Sequence, residues 1–472
     1  MSVPVPIDSL VVILDDVVAG TLERLPGGRL RFDYDAAYRR KPAPTPLSLS
    51  MRPTASSHDD AVVTPWLWGL LPDNDRVLER WASRFHTSAS SPFSLLATPV
   101  GEDCAGAVRF ARPDDLDRAL ARPGSVTWLS DEDVAERLRE LRADSTEWLG
   151  HTFTGQFSLA GAQAKTALLF RDGRWGVPSG AVPTTHILKP AIAGLDDHDL
   201  NEHLCLDAAR RVGLVVTPTR VARFGDETAV VVERYDRYET DAGIVRIHQE
   251  DVCQALGLPP SARDESDGGP SPEQIVALFR ERMSARAAAD AVARFVDALI
   301  WNWIIAGTDA HAKNYSLLLA GHQIRLAPLY DVASALPYTG HERELRFAMK
   351  LGGDYRVALF KNPWPRVARD LRLDPDALHE RVAYLAAAAP DAFADAAAAP
   401  AVASLGRRLP KNLVAGVARR AAACAAAIGT HGGQSDAARP PGASDTGSVA
   451  VPPYTRQGRP VVGYRRRKQQ AG

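Results

Sequence analysis

The stretch Gly307-Thr-Asp-Ala-His-Ala-Lys-Asn314 guides the interpretation of the whole chain. It lies between an apolar, helix-like run that ends near Ala306 and an apolar run that begins at Tyr315. Asp309 and Asn314 have the D-x-x-x-x-N spacing of kinase catalytic loops, in which the carboxylate receives the proton of the attacking hydroxyl and the amide oxygen holds Mg²⁺. The stretch therefore predicts a phosphotransferase with Asp309 as catalytic base and Asn314 as a metal ligand.

A second carboxylate follows in Pro328-Leu-Tyr-Asp331, where the chain leaves another apolar run. Mg²⁺ usually takes one or two protein ligands together with phosphate oxygens and water. Asp309 and Asp331 could instead cap turns, as short acidic residues often do. Their combination with Asn314 favours the functional interpretation, with Asn314 and Asp331 as the Mg²⁺ ligands.

Lys189 ends the apolar run His186-Ile-Leu-Lys189, and Pro190 stops that strand. A kinase needs a cation on the α- and β-phosphates of ATP, commonly a strand lysine paired with a helix glutamate. Glu202 opens the next helical stretch and is a candidate partner. The alternative is an ordinary surface lysine.

A candidate phosphate loop, Ser158-Leu-Ala-Gly-Ala-Gln-Ala-Lys165, precedes a strand-like run at 166–170. Its small residues suit a loop whose backbone N–H groups bind phosphate. It lacks the G-x-G-x-x-G pattern, so an ordinary turn is the alternative. Lys165 either reaches phosphate or is solvated.

The run Val230-Val-Val-Glu233-Arg-Tyr235-Asp236 passes from apolar to polar where a β-rich stretch meets a helical one. Adenine could bind the backbone between Glu233 and Tyr235 and stack on the tyrosine. A strand that ends in a surface charge pair explains the run equally well. His311 could orient the base, contact phosphate or satisfy its own loop.

The composition is that of a globular protein, with 45% hydrophobic and 24% charged residues and a net charge of −1 over 472 residues. The chain has no excess of basic residues that would indicate direct nucleic-acid binding. The four cysteines show no zinc-ligand spacing. The apolar run at 10–14 follows no Lys or Arg, and no later run is long enough to cross a bilayer. We expect a cytoplasmic protein without membrane contact.

The pattern of runs predicts an α+β chain with a two-lobed, protein-kinase-like architecture. We expect an accessory α+β domain at 1–145, a β-rich small lobe at 146–240 and a helical lobe at 241–429. Residues 430–472 contain no Leu, Ile, Phe, Trp or Met, so a disordered basic tail is predicted there.

These motifs resemble HipA-type serine/threonine kinases, the toxin members of bacterial toxin–antitoxin pairs. The resemblance also includes Pro183-Thr-Thr-His-Ile-Leu-Lys189, Asn201-Glu-His-Leu-Cys205, Gln249-Glu-Asp-Val-Cys-Gln254 and Glu265-Ser-Asp-Gly-Gly-Pro270, and Leu70-Leu-Pro-Asp-Asn74 looks like part of the family's accessory domain. It implies autophosphorylation at Ser158, a helix-turn-helix antitoxin of HipB type as partner, DNA contact through that antitoxin, and a translation-factor substrate such as glutamyl-tRNA synthetase. It implies an ATP site at Ala160, Gly161, Ala162, Gln163, Ala164, Lys165, Lys189, Glu233, Arg234, Tyr235, His311, Ala312, Lys313 and Asn314.

One departure is that the glycine-rich loop of kinases is reduced to a single glycine, Gly161. Two alternatives stay open at this point. A small-molecule phosphotransferase of the aminoglycoside or choline kinase sort shares the Asp/Asn/Asp arrangement. A non-catalytic partner of a DNA-bound repressor would need none of these side chains.

Overall fold

The computed structural model describes residues 8–121, 124–151, 155–241, 243–339, 342–357 and 362–429, and the backbone of 454–456 and 459–461. The first unit is an antiparallel sheet in the order β4-β3-β2-β1-β5. Its elements are β1 (Ser9–Leu14), β2 (Val17–Arg24), β3 (Leu30–Tyr34), α1 (Ala36–Arg39), β4 (Ser57–His58), α2 (Asp60–Trp68), α3 (Asp75–Arg84), α4 (Pro92–Leu96), β5 (Arg109–Ala111) and α5 (Leu116–Ala121).

Helix α3 shows how the sequence sets local structure in this unit. The Asn74 side chain accepts the backbone N–H of Arg76 and caps the helix. Val77, Leu78 and Trp81 form its buried stripe. The cap and the stripe together fix where this helix begins and which side of it is buried.

The small lobe is a six-stranded antiparallel sheet in the order β10-β11-β9-β7-β8-β6. Its elements are β6 (Gly124–Leu129), α6 (Asp131–Ala143), β7 (Thr166–Arg171), β8 (Arg174–Gly180), β9 (His186–Lys189), α7 (His198–Arg211), β10 (Thr219–Phe224) and β11 (Glu227–Glu233). Strand β6 pairs with β8, and α6 packs its apolar side on the same sheet. Residues 124–143 therefore pack with the small-lobe sheet, although the sequence places the start of that lobe at 146. The pairing of β6 with β8 is a long-range contact, which runs of residue types do not reveal.

The helical lobe contains the longest helices and three small sheets. Its elements are β12 (Arg237–Thr240), β13 (Gly243–Arg246), β14 (His248–Asp251), α8 (Val252–Leu256), α9 (Pro272–Arg282), α10 (Ala285–Ile305), β15 (Ser316–Ala320), β16 (Gln323–Leu326), β17 (Arg346–Leu351), β18 (Asp354–Arg356), α11 (Trp364–Leu371), α12 (Pro375–Ala397), α13 (Pro400–Ala403) and α14 (Leu409–Ile428). Strands β14, β15 and β16 form one antiparallel sheet. The apolar run that begins at Tyr315 therefore forms β15, the middle strand of this sheet.

The buried core of the helical lobe extends into α7, whose Leu200 and Leu204 belong to the same apolar cluster as α10, α12 and α14. Helix α7 therefore bridges the two lobes. None of the helices in the described ranges combines the length and apolar character that a bilayer crossing requires. The predicted disordered tail lies outside the described residues, apart from an antiparallel pair of β19 (Tyr454–Arg456) and β20 (Arg459–Val461).

Candidate active site

The 307–314 loop is set by the end of α10. Ala306 adopts a left-handed conformation, φ 53°, and its N–H donates to the carbonyl of Asn302. Gly307 also donates to that carbonyl, at 2.8 Å. A Cβ on Gly307 would lie 2.1 Å from Asn302 Oδ1, so the close approach of backbone to side chain requires glycine. The chain then turns out of the helical core and enters β15.

Asp309 and Asn314 lie together in this loop. The Asn314 side-chain amide donates to the Asp309 carbonyl at 2.6 Å, which leaves its amide oxygen for another partner. Crowding by surrounding protein atoms, and then the charge of Asp331, raises the pKa of Asp309 to about 6. The side chain is nevertheless 76% exposed, and this open surface limits how far burial can raise the pKa of Asp309. A substrate hydroxyl can therefore reach the carboxylate.

Lys189 is the centre of a buried ion network. Its Nζ lies 2.8 and 3.1 Å from the two Glu202 carboxylate oxygens and 2.7 Å from Asp331 Oδ1. Burial alone would lower the pKa of Lys189, but the two carboxylates outweigh it and raise the pKa, so the ammonium stays charged. The predicted ion pair with Glu202 is confirmed, and a surface lysine is excluded. We call Lys189, Glu202 and Asp331 the cleft network.

Asp331 is held in an unusual backbone conformation, with φ 56° in the left-handed region. Asp tolerates this region better than most residues, and such strain is frequent at functional sites. Burial would raise the pKa of Asp331, but Lys189 and Lys165 reverse the shift and lower it. The preceding Tyr330 donates its hydroxyl to the Lys313 carbonyl at 2.6 Å, which ties Asp331 to the catalytic loop.

The phosphate loop curls around its own lysine. Lys165 Nζ donates to the Ala160 carbonyl at 2.6 Å and lies 4.8 Å from the centre of the Trp148 ring. Burial, followed by the charge of Lys189, lowers the pKa of Lys165 to about 8. Lys165 is therefore a buried cation beside the cleft network, and the solvated alternative is wrong. Gly161 has φ 101°, which favours glycine.

Ser158 opens this loop and is fully buried. Its hydroxyl donates to the Leu70 carbonyl of the first unit at 2.7 Å. Its N–H donates to the Asp103 carbonyl at 3.0 Å. The structure thus holds the predicted autophosphorylation site away from solvent, so the loop has to move before Ser158 can react.

The sequence interpretation missed Asp73 as a site residue. Its carboxylate accepts from Lys313 Nζ, at 2.5 Å to Oδ2, and from the Gly161 N–H at 3.2 Å. One side chain of the first unit therefore contacts both the phosphate loop and the catalytic loop. The motif at 70–74 was visible in the sequence, but only the fold brings it to the cleft.

The predicted hinge segment is hydrogen-bonded to neighbouring parts of the small lobe. The backbone N–H groups of Glu233 and Arg234 donate to the carbonyls of Pro218 and Thr185, at 3.0 and 2.9 Å, so these two groups are occupied. The Tyr235 ring lies 5.5 Å from that of Tyr330, and its hydroxyl donates to Gln249. The contact of Glu233, Arg234 and Tyr235 with adenine remains a prediction.

The Arg234 side chain belongs to a second buried ion network beneath the hinge. Arg234 and Arg237 bind the Asp103 carboxylate at 3.3 and 2.9 Å and also contact Asp236. Arg246 approaches Asp103 at 3.4 Å. We call this the hinge network; its members are Asp103, Arg234, Asp236, Arg237 and Arg246.

Polar atoms near the cleft network suit a nucleotide and a metal. The described part of the chain leaves Gln163 Nε2 and His311 Nδ1 buried without a hydrogen-bond partner. Burial and then Arg263 lower the pKa of His311 to about 4, so the ring is neutral, and its Nε2 lies 3.8 Å from Asp309, beyond hydrogen-bond range. Asn314 and Asp331 supply hard oxygen atoms of the kind Mg²⁺ prefers. The residues present fit ATP and Mg²⁺.

A β-rich lobe, a helical lobe and a cleft with a Lys–Glu–Asp network beside an Asp/Asn loop define the class: this chain is a kinase. Comparison with known proteins supports this class. The model of the HipA-like C-terminal domain matches residues 157–393, and that of the HipA N-terminal domain matches 10–111. A candidate kinase of Sinorhizobium fredii, Y4mE, is 34% identical over 80% of this chain and 90% of its own length.

The serine/threonine-protein kinase toxin HipA of Shewanella oneidensis is 28% identical over 61% of this chain and 66% of its own length. A solved complex of HipA, HipB and operator DNA from Shewanella oneidensis MR-1 has the same fold, with a TM-score of 0.71. That match has 22% identity and covers 89% of this chain and 96% of the other. This chain belongs to the HipA family.

Proposed function

We propose that this protein is an ATP- and Mg²⁺-dependent serine/threonine kinase that acts as the toxin of a cytoplasmic toxin–antitoxin pair. One observation carries the enzymatic part: Lys189 bridges Glu202 and Asp331 within 2.8 Å, beside a loop in which Asp309 is open to substrate. Each buried charge costs several kcal/mol to desolvate, and the place of this network beside the open Asp309 carboxylate supports a catalytic role.

Each side chain has a distinct task in the proposed reaction. Asp309 accepts the proton of the substrate hydroxyl as its oxygen attacks the γ-phosphorus of ATP and ADP leaves. Lys189, fixed by Glu202, holds the α- and β-phosphates, and Lys165 adds a second positive charge beside them. Mg²⁺, held by Asn314 and Asp331, would neutralise charge on the phosphates.

The remaining predicted ATP contacts fit around these residues. The backbone at Ala160, Ala162, Gln163 and Ala164 lies next to Lys165 and offers N–H groups to phosphate, while the Gly161 N–H donates to Asp73 and holds the loop in shape. At the hinge, 233–235 offers backbone groups and the Tyr235 ring to adenine. On the catalytic loop, His311, Ala312 and Lys313 are buried, and the unpartnered His311 Nδ1 is available to the nucleotide.

Partners and substrate are proposed by family resemblance. The HipA relative was solved with HipB and operator DNA, so a HipB-type antitoxin that links this kinase to DNA is the expected partner. The proposed protein substrate is a translation factor, with glutamyl-tRNA synthetase as the first to test. Autophosphorylation at Ser158 would add roughly −1.5 to −2 charges where ATP phosphates bind and oppose nucleotide binding.

The test is phosphosite mapping by mass spectrometry. Purified protein is incubated with ATP and Mg²⁺, alone, with a bacterial lysate and with glutamyl-tRNA synthetase. The wild type is compared with Asp309→Asn and with Asp226→Asn, which removes an exposed turn carboxylate. Phosphate on serine or threonine in the wild type and Asp226→Asn, but not in Asp309→Asn, supports the proposal. Transfer to small alcohols alone would indicate a small-molecule phosphotransferase instead.

A further inference from the structure

The first unit reaches into the kinase cleft through residues 70–73. Leu70 and Leu71 are fully buried in the core of that unit, and Asn74 caps α3 immediately afterwards. The segment is therefore fixed at both ends by packing and by a helix cap. A side chain carried on it is therefore held in place by the buried core of the first unit.

Three hydrogen bonds join this segment to the phosphate loop. The Ser158 hydroxyl donates to the Leu70 carbonyl at 2.7 Å. The Asp73 N–H donates to the Gly161 carbonyl at 3.1 Å, and the Gly161 N–H donates back to Asp73 Oδ2 at 3.2 Å. The single glycine of the loop is thus held on both its backbone groups by one residue.

The same carboxylate pairs with the catalytic loop. Asp73 Oδ2 lies 2.5 Å from Lys313 Nζ, whose side chain is only 4% exposed. Lys313 precedes Asn314, the proposed metal ligand, and its carbonyl accepts the Tyr330 hydroxyl. Asp73 therefore joins the loop that would bind phosphate to the loop that would bind metal and accept the proton.

We propose that Asp73 is a positioning residue of the ATP site, through which the accessory unit holds the phosphate loop and the catalytic loop in register. This role deepens the proposed kinase function and rests on it. Asp73 acts through Gly161 and Lys313 and makes no contact with the reacting atoms. Its removal loosens a loop that needs ordered N–H groups, and leaves Lys313 buried without its carboxylate.

The test compares Asp73→Asn, Asp73→Glu and the control Asp75→Asn in the full-length protein. Asp75 is an exposed carboxylate in the first turn of α3, so the control removes the same charge two residues away. Two readouts are taken: amide hydrogen exchange of residues 159–165 without nucleotide, and the KM for ATP and kcat of phosphoryl transfer.

Asp73→Asn is expected to speed exchange in 159–165 and to raise the KM for ATP roughly 10-fold, with kcat changed by less than about threefold. Asp73→Glu keeps the charge and should give intermediate values, and Asp75→Asn should match the wild type. If Asp73→Asn does not fold, Asp73→Glu is measured in its place. Hydrogen exchange of 159–165 and a KM for ATP equal to those of the wild type would then overturn the proposal.

Wild-type values in a folded Asp73→Asn would also overturn it. Tighter ATP binding in that variant would overturn it as well, because the carboxylate would then compete with phosphate for Lys313. The exchange readout does not depend on catalysis. If the wild type transfers no phosphate while exchange still rises in Asp73→Asn, the kinase proposal fails and the coupling between the two loops stands.

Discussion

The hinge network and the cleft network are both buried clusters of opposite charges, yet they differ in chemistry. The hinge network contains three arginines, which stay charged at any ordinary pH, and its Asp103 and Asp236 carboxylates are about 3% exposed. The cleft network is built on a lysine, and its Asp331 side chain is 32% exposed. It also borders the open Asp309 and the unpartnered His311 nitrogen.

The difference separates structural from functional buried charge. The hinge network joins Asp103 of the accessory unit to strand ends of the kinase lobes and is enclosed: its carboxylates are about 3% exposed, and among its described side-chain nitrogens Arg237 Nε is the one without a partner. The cleft network leaves oxygen atoms and solvent access on one side, where a charged ligand can enter. Buried charge alone therefore does not mark an active site; buried charge beside an open surface does.

The largest expected effect comes from breaking the hinge network with Asp103→Asn. Arg246 would then lose its partner in the network, while Arg234 and Arg237 would keep Asp236. Breaking a buried ion pair costs about 3–5 kcal/mol. We expect the free energy of unfolding, measured by urea denaturation, to fall by about that amount. Asp226→Asn, which breaks an exposed pair, should leave the midpoint unchanged. An equally stable Asp103→Asn would show that the network does not hold the units together.

A smaller effect on a different observable is expected from Lys189→Met in the cleft network. Loss of a charge-assisted contact is worth about 1.5–3 kcal/mol, so ATP affinity should fall roughly 10- to 100-fold in calorimetric titrations. Lys350→Met, which removes an exposed lysine paired with Glu265, is the control. Unchanged ATP affinity in Lys189→Met would show that the cleft network does not bind the nucleotide.

The smallest effect is a pH dependence that only the open side of the cleft should show. The pKa of Asp309 is raised to about 6, so the base gains a proton as the pH falls through that value. The rate of phosphoryl transfer should then be constant above about pH 6 and fall up to tenfold per pH unit below it. His311 cannot produce this break, because its pKa is lowered to about 4. A rate that stays flat down to pH 4.5 would contradict the assignment of Asp309.

Local signals predicted most elements and the core of the site. These signals are short-range patterns: the runs that became β7, β9 and β11, and the strand lysine followed by a helix glutamate. The pairing of Lys189 with Glu202 was predicted because only one short loop separates their elements. The roles assigned to the site residues remain predictions.

Long-range contacts were not predictable in the same way. Strand β6 pairs with β8 beyond the intervening α6 and β7, and Asp73 forms an ion pair with Lys313, which lies 240 positions away in the chain. The charged run at 233–237 gave no indication of its ion pairs with Asp103, because Asp103 lies 131 positions from Arg234 in the chain. Which distant carboxylate pairs with which cation cannot be read from a single sequence.

The central claim is that the cleft network holds ATP while Asp309 performs the proton transfer. The most direct measurement is a calorimetric titration of ATP with Mg²⁺ into Asp309→Asn, with phosphoryl transfer measured on the same sample. ATP affinity close to that of the wild type, with a transfer rate lower by about 10²- to 10⁴-fold, is the predicted result. Transfer at the wild-type rate would contradict the claim.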